Sequence, residues 1–165
     1  MKKQAKQIAS WGKNVSVKIP VSNTKGEPTY KVIRELSDEG VVVNVTAIFT
    51  DDQISSVIDA INPSASAIVS IFAGRIADAG RDPCKSIERA VGLAIEKQGV
   101  QILWASTREA FNIIQAEDVG CHIITVAPSM ITKAIDNFGK DLGQYSLETV
   151  AMFYKDAVAS GYNLS

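Results

Sequence analysis

Five short runs rich in β-branched residues alternate with longer segments of helical periodicity, and this alternation limits the fold more than any other feature of the chain. The strand candidates are residues 15–20, 41–49, 67–72, 101–105 and 122–126. Between them, 29–39, 51–61, 83–98, 108–118 and 129–138 read as helices. A helix over 2–11 precedes the first run, and a terminal helix over 147–160 follows, with Ser146 as its N-cap and Gly161 as its stop. Gly40, Gly99 and Gly120 punctuate the joints between a helix and the next strand. The order predicts a single α/β domain over 1–165, built from about five parallel βα units plus a C-terminal helix.

The two faces of these strands differ. In a strand, side chains of one parity share a face. Val15/Val17/Ile19, Val43/Val45/Ala47, Ala67/Val69/Ile71 and Leu103/Ala105 form an apolar set. Ser16 and Lys18, Asn44 and Thr46, Ser70, Ser106 and Thr125 form a polar one. An open doubly wound sheet carries helices on both faces, so its strands are apolar throughout. One persistent polar face instead predicts a sheet that lines a wet site, as in the interior of a βα barrel.

Lys18 is the chemically telling member of that face. A lysine held on a packed strand loses hydration, which favours the neutral amine. A neutral amine is the form that attacks a carbonyl to make a Schiff base. The alternative is a snorkelling lysine that keeps an edge strand from pairing with other chains.

Composition narrows the partners. A net charge of −1 gives neither nucleic acid nor an anionic membrane a reason to bind. No apolar run is long enough to span a bilayer, and the basic N-terminus lacks the apolar core of a secretory signal. Cys84 and Cys121 lie far apart without metal-ligand spacing, and His122 is the lone histidine. Free thiols in a reducing cytoplasm are therefore expected, and no metal.

The wording of the motifs then resembles one family. Residues 15–26 (VSVKIPVSNTKG), 44–49 (NVTAIF), 72–76 (FAGRI), 104–109 (WASTRE) and 116–125 (AEDVGCHIIT) are similar, in order, to segments of transaldolases and fructose 6-phosphate aldolases. The resemblance implies class I aldolase chemistry on a (βα)8 barrel of TIM type, with no cofactor and a phosphorylated sugar as substrate. Lys18 would form the Schiff base and Thr46 would orient the catalytic water. Arg75, Ser106 and Arg108 would hold the substrate phosphate, Arg108 at the head of a helix whose N-terminus also attracts anions. Asn44 would touch the substrate. Each residue has a plainer reading: a threonine satisfied by its own backbone, two surface arginines, a backbone-bonded core amide. Phe72 stands where some relatives carry a tyrosine.

By the same resemblance the barrel is partial, and the first three βα units of the family are not represented. Those units would bring an aspartate, an asparagine and a further acidic or amide residue for proton transfer, help typically worth ~10²–10⁴-fold. Two expectations follow. The chain either transfers or cleaves a three-carbon ketol unit, or it is a catalytically impaired sugar-phosphate-binding or assembly module, or a fragment needing an N-terminal partner. Its open sheet edges also predict a homo-oligomer.

Overall fold

The apolar face of the strands drives the architecture. In the computed structural model, which describes residues 1–161, Val17, Ile19, Val43, Val45, Ala67, Val69, Ile71, Val100, Ile102 and Trp104 are all buried in one core. They belong to β1 (Val17–Pro20), β2 (Val43–Ile48), β3 (Ala67–Ile71) and β4 (Val100–Trp104). A two-residue strand, β5 (Ile123–Ile124), adds to the far edge. Every pairing is parallel, and the strands lie in chain order β1-β2-β3-β4-β5.

That order has a geometric consequence. Parallel neighbours joined by right-handed crossovers, without a reversal of strand order, place the connecting helices on one face. The helices are α1 (Lys2–Ala9), α2 (Tyr30–Asp38), α3 (Asp51–Ala60), α4 (Ala73–Asp78), α5 (Cys84–Ala94), α6 (Asn112–Asp118), α7 (Pro128–Asn137) and α8 (Leu142–Ala159). Helix α2 turns Ile33, Leu36 and Ser37 inward, α3 turns Ile54, Val57 and Ile58, and α5 turns Ile87, Ala90 and Ala94. The i, i+3, i+4 spacing in α2 and α3 and the i, i+3, i+7 spacing in α5 are each one stripe of an amphipathic helix. The result is a five-stranded segment of a βα barrel, helices outside and the inner face uncovered.

Local chemistry sets the ends. Thr50 accepts from the Gln53 amide, and Gln53 returns a bond to the Thr50 backbone, so α3 opens on a capping box. Lys97 donates to the carbonyls of Ile58 and Ile61 and closes the same helix at its other end. Lys2 bridges Glu35 and Glu39, tying α1 to α2. Asp141, not Ser146, caps α8, which starts five residues before the expected 147.

Two readings of parity need correction. Leu103 and Ala105 were expected against the helices, yet they face the open side, while Val100, Ile102 and Trp104 meet the helices. In β2, an irregularity between Val45 and Ile48, with Ala47 at φ 60°, inserts a residue against β3. Ile48 thereby enters the core although it shares the parity of Asn44 and Thr46. Helix α4, absent from the periodicity, forms directly after β3. No helix among the described residues is long and apolar enough to cross a membrane.

Cys84 and Cys121 are free thiols. Burial, followed by the neighbouring Asp82 carboxylate, pushes the Cys84 thiol up to about 11 from 9.0. The folded state holds that proton more tightly than the unfolded chain, so stability falls as pH rises from 9.0 to about 11. Urea midpoints measured between pH 8 and pH 11 should decline less steeply for Cys84→Ser than for the unaltered protein.

Candidate active site

Parallel register brings the polar residues of separate strands side by side. Lys18 pairs in register with Asn44, and Pro20 with Thr46. Ser70 is buried on β3 and donates its hydroxyl to Asn44 Oδ1 at 2.7 Å. Lys18, Asn44, Thr46, Ser70, Phe72, Leu103, Ala105, Ser106 and Thr125 together line a cleft of about 310 Å³ on the uncovered sheet face. The site therefore collects Lys18, Thr46, Asn44 and Ser106, four of the six residues that the sequence nominated. It adds Ser70 as the group that orients Asn44.

Lys18 is exposed, and its ammonium has no hydrogen bond or ion pair among the described residues. The dehydration expected of a packed-strand lysine is not met, because β1 is an edge strand and no helix covers the inner face. Thr46 is half-buried, and its carbonyl accepts from the Val21 amide at 2.9 Å, which fixes its backbone. Phe72 closes one side of the cleft, tilted against Phe49 with ring centroids 5.6 Å apart. No carboxylate lines the cleft among the described residues. Nor does any group of three His, Cys, Asp or Glu among them form a metal set.

The rim is built by a close approach of two backbones. Ser106 adopts φ 67°, a left-handed conformation that costs a non-glycine residue about 1–2 kcal/mol. The turn carries Ser106 into the cleft from the end of β4, and alternation alone would not have done so. Its carbonyl oxygen sits 1.5 Å from where a Cβ on Gly74 would lie, so only glycine fits at the start of α4. Gly74 in turn donates its amide to the Ala105 carbonyl at 3.3 Å.

Arg75 and Arg108 stand outside the cleft lining, near its rim. The Arg75 guanidinium lies 5.6 Å above the Phe72 ring, a cation–π contact that holds it next to the cleft wall. Arg108 is on the loop after β4, not at a helix head, since α6 begins only at Asn112. The Asn112 side chain explains the delay: its Oδ1 accepts from the amides of Arg108 and Glu109, holding both in the loop. Arg108 is engaged by Asp78 of α4, with Nε at 3.1 and 3.0 Å from the two carboxylate oxygens and Nη2 at 2.5 Å from one. That pair holds the Arg108 guanidinium further above its ordinary range, chiefly through the Asp78 hydrogen bonds. Sequence spacing could not find Asp78, which lies thirty residues from its partner.

A second hollow, of about 370 Å³, lies among Ser37, Asp38, Gly40–Val42, Asn62 and Ser64–Ser66. It sits before the N-terminal ends of β2 and β3, the end that carries stability rather than chemistry in barrels of this kind.

Fold and site together define a βα-barrel protein with a lysine-centred cleft on the inner face of its sheet. Residues 1–163 match the family model described as transaldolase/fructose-6-phosphate aldolase, and the chain belongs to that family. It is 37% identical over 136 residues to a probable transaldolase of Streptococcus equi subsp. zooepidemicus, covering 81% of this chain and 59% of that protein. A probable transaldolase of Clostridium acetobutylicum is 33% identical over 144 residues, covering 87% and 63%. The chain thus spans about three-fifths of the length of these curated relatives. Among solved structures, one titled "Native KDPGal structure" is similar with a TM-score of 0.48 at 17% identity, covering 96% of this chain and 66% of the other.

Gly74→Ala should cost at least about 1–3 kcal/mol in urea unfolding, because a methyl group there meets backbone rather than a side chain that can rotate away. Ser106→Gly should gain about 1 kcal/mol by relieving the left-handed strain while removing a cleft hydroxyl. The two variants shift the unfolding midpoint in opposite directions.

Proposed function

We propose that this chain acts on a phosphorylated ketose such as fructose 6-phosphate through a Schiff base on Lys18. The observation that carries this reading is a lysine Nζ without a partner among the described residues, in a cleft beside Asn44 and Thr46. The neutral amine adds to the ketose carbonyl, and loss of water gives an iminium ion. The iminium accepts the electron pair of the bond between its α and β carbons (C3–C4 of the ketose) as that bond breaks. The hydroxyl on the β carbon gives its proton to cleft water and becomes the aldehyde of the departing aldose. The three-carbon enamine left on Lys18 attacks an acceptor aldehyde, or takes a proton, and water then frees the lysine. Thr46 supplies a hydroxyl to hold that water. Arg75, Arg108 and Ser106 hold the phosphate at the far end of the substrate, converting a bimolecular encounter into a positioned one. The free thiols of Cys84 and Cys121 fit a protein working in the reducing cytoplasm.

Incubation with fructose 6-phosphate, and separately with dihydroxyacetone, followed by borohydride and mass spectrometry tests the chemistry. A reduced three-carbon adduct is expected on Lys18 and should vanish in Lys18→Ala. A folded sample that yields no adduct would overturn the catalytic reading.

A specific observation favours a second reading: the cleft has no carboxylate among the described residues to move protons. On that reading the chain binds a sugar phosphate without turning it over. Phosphate would then raise its melting temperature while borohydride trapped nothing. A fragment needing a partner would instead gain activity when the N-terminal barrel units are added in trans.

Self-association belongs to the same proposal. Helix α8 buries no residue, and Leu147, Val150, Phe153, Tyr154 and Val158 are each at least 60% exposed. A broad apolar helix stripe of this kind is normally covered, and among the described residues β1 presents an unpaired strand edge. A second copy would cover both. Light scattering should give a mass that is a multiple of 17.7 kDa. A monodisperse monomer would contradict it.

A further inference from the structure

We propose that Asp78 is the positioning residue that holds the Arg108 guanidinium ready for the substrate phosphate, an inference that rests on the phosphate role given to Arg108 above. A guanidinium carries five N–H donors in a planar fork. Asp78 takes the Nε hydrogen and one Nη2 hydrogen, the side-on edge of that fork. Three donors remain, and two of them, one on Nη1 and one on Nη2, form the end-on edge that can grip a second anion in bidentate fashion. The carboxylate therefore leaves the anion-binding end of Arg108 open while fixing its plane.

Both ends of the pair are tied to the fold by hydrogen bonds. Arg75 and Asp78 are one turn apart on α4, so a single short helix presents both a phosphate-binding cation and the anchor of the other. The Gly74 amide donates to the Ala105 carbonyl at 3.3 Å and so ties the start of α4 to the segment that leads into the Ser106–Arg108 loop. At its other end the Arg108 backbone is held by Asn112, itself buried and bonded to Gln115 at 2.8 Å. The side chains of Arg108 and Asp78 are 47% and 52% exposed, so this pair adds little to global stability. What it restricts is the rotamer freedom of a long side chain, a cost otherwise met on binding. Asp78 also offsets one of the two cations at the rim, which by itself weakens anion binding. Pre-organisation and charge thus push in opposite directions, and the inference is that pre-organisation prevails.

The test is a titration of inorganic phosphate, then fructose 6-phosphate, by calorimetry on the unaltered protein, Arg108→Ala, Asp78→Ala and Asp78→Asn. Melting temperatures and the Arg108 Nε–H signal in nitrogen-15 spectra are read alongside. Arg108→Ala should weaken phosphate binding, which upholds the role of Arg108. Asp78→Ala should weaken it by about 3–10-fold, the range of one organised hydrogen-bonding contact, with an unchanged melting temperature and a broadened Arg108 signal. Asp78→Asn keeps an acceptor oxygen and should recover part of the loss. Unchanged or tighter binding by Asp78→Ala, with Arg108→Ala still weakened, overturns the inference and leaves the role of Arg108 standing. A fall in both affinity and melting temperature that Asp78→Asn does not repair assigns Asp78 to structure and also overturns it. Phosphate binding that is absent, or indifferent to Arg108→Ala, overturns both.

Discussion

Burial of one sheet face under α2, α3 and α5 is the constraint from which the rest of the molecule follows. Each fully buried Val, Leu or Ile contributes about 1.5–3 kcal/mol relative to exposure, and the apolar parity of β1 to β4 supplies a row of them. Because strand order never reverses, all of that burial happens on one side. The opposite face mixes polar groups with Phe72, Leu103 and Ala105, and it can carry chemistry because it does not have to carry the core.

That division explains why the site is assembled from separate strands without special loops. Register alone sets Lys18 beside Asn44, and the Ser70 hydroxyl then fixes the amide. The rim needs more. Ser106 accepts a strained backbone, Gly74 gives up a side chain, and Asn112 satisfies two loop amides before α6 can begin. Strain of this kind persists only where surrounding structure over-determines it, and here both backbones and a buried amide do so.

Much of this was legible in the residues. The βα order, the amphipathic stripes of α2, α3 and α5, and the polar parity of Lys18, Asn44, Thr46 and Ser70 are periodic features, and periodicity survives in a linear string. The failures have physical causes. Leu103 and Ala105, which share the parity of Gln101, lie on the face opposite to the expected one because the left-handed turn at Ser106 breaks the alternation that makes Ser106 look like the marker of the inner parity. Ile48 crossed faces because a bulge shifts alternation by one, and nothing in NVTAIF announces a bulge. Arg108 was read as the head of a helix that begins four residues later. The burial expected of Lys18 failed because strand membership was visible while the cover over that strand was not.

The sequence by itself determined the class of fold, the family and the residues that share the inner face, since these depend on composition and spacing along the chain. Only the tertiary structure decided which groups meet across it. The Ser70 bond to Asn44, the Gly74 contact with Ser106 and the Asp78 grip on Arg108 join residues about thirty positions apart, and the exposure of Lys18 depends on what covers a strand. Such contacts are set by sheet register and helix packing in space, which no local pattern of side chains encodes.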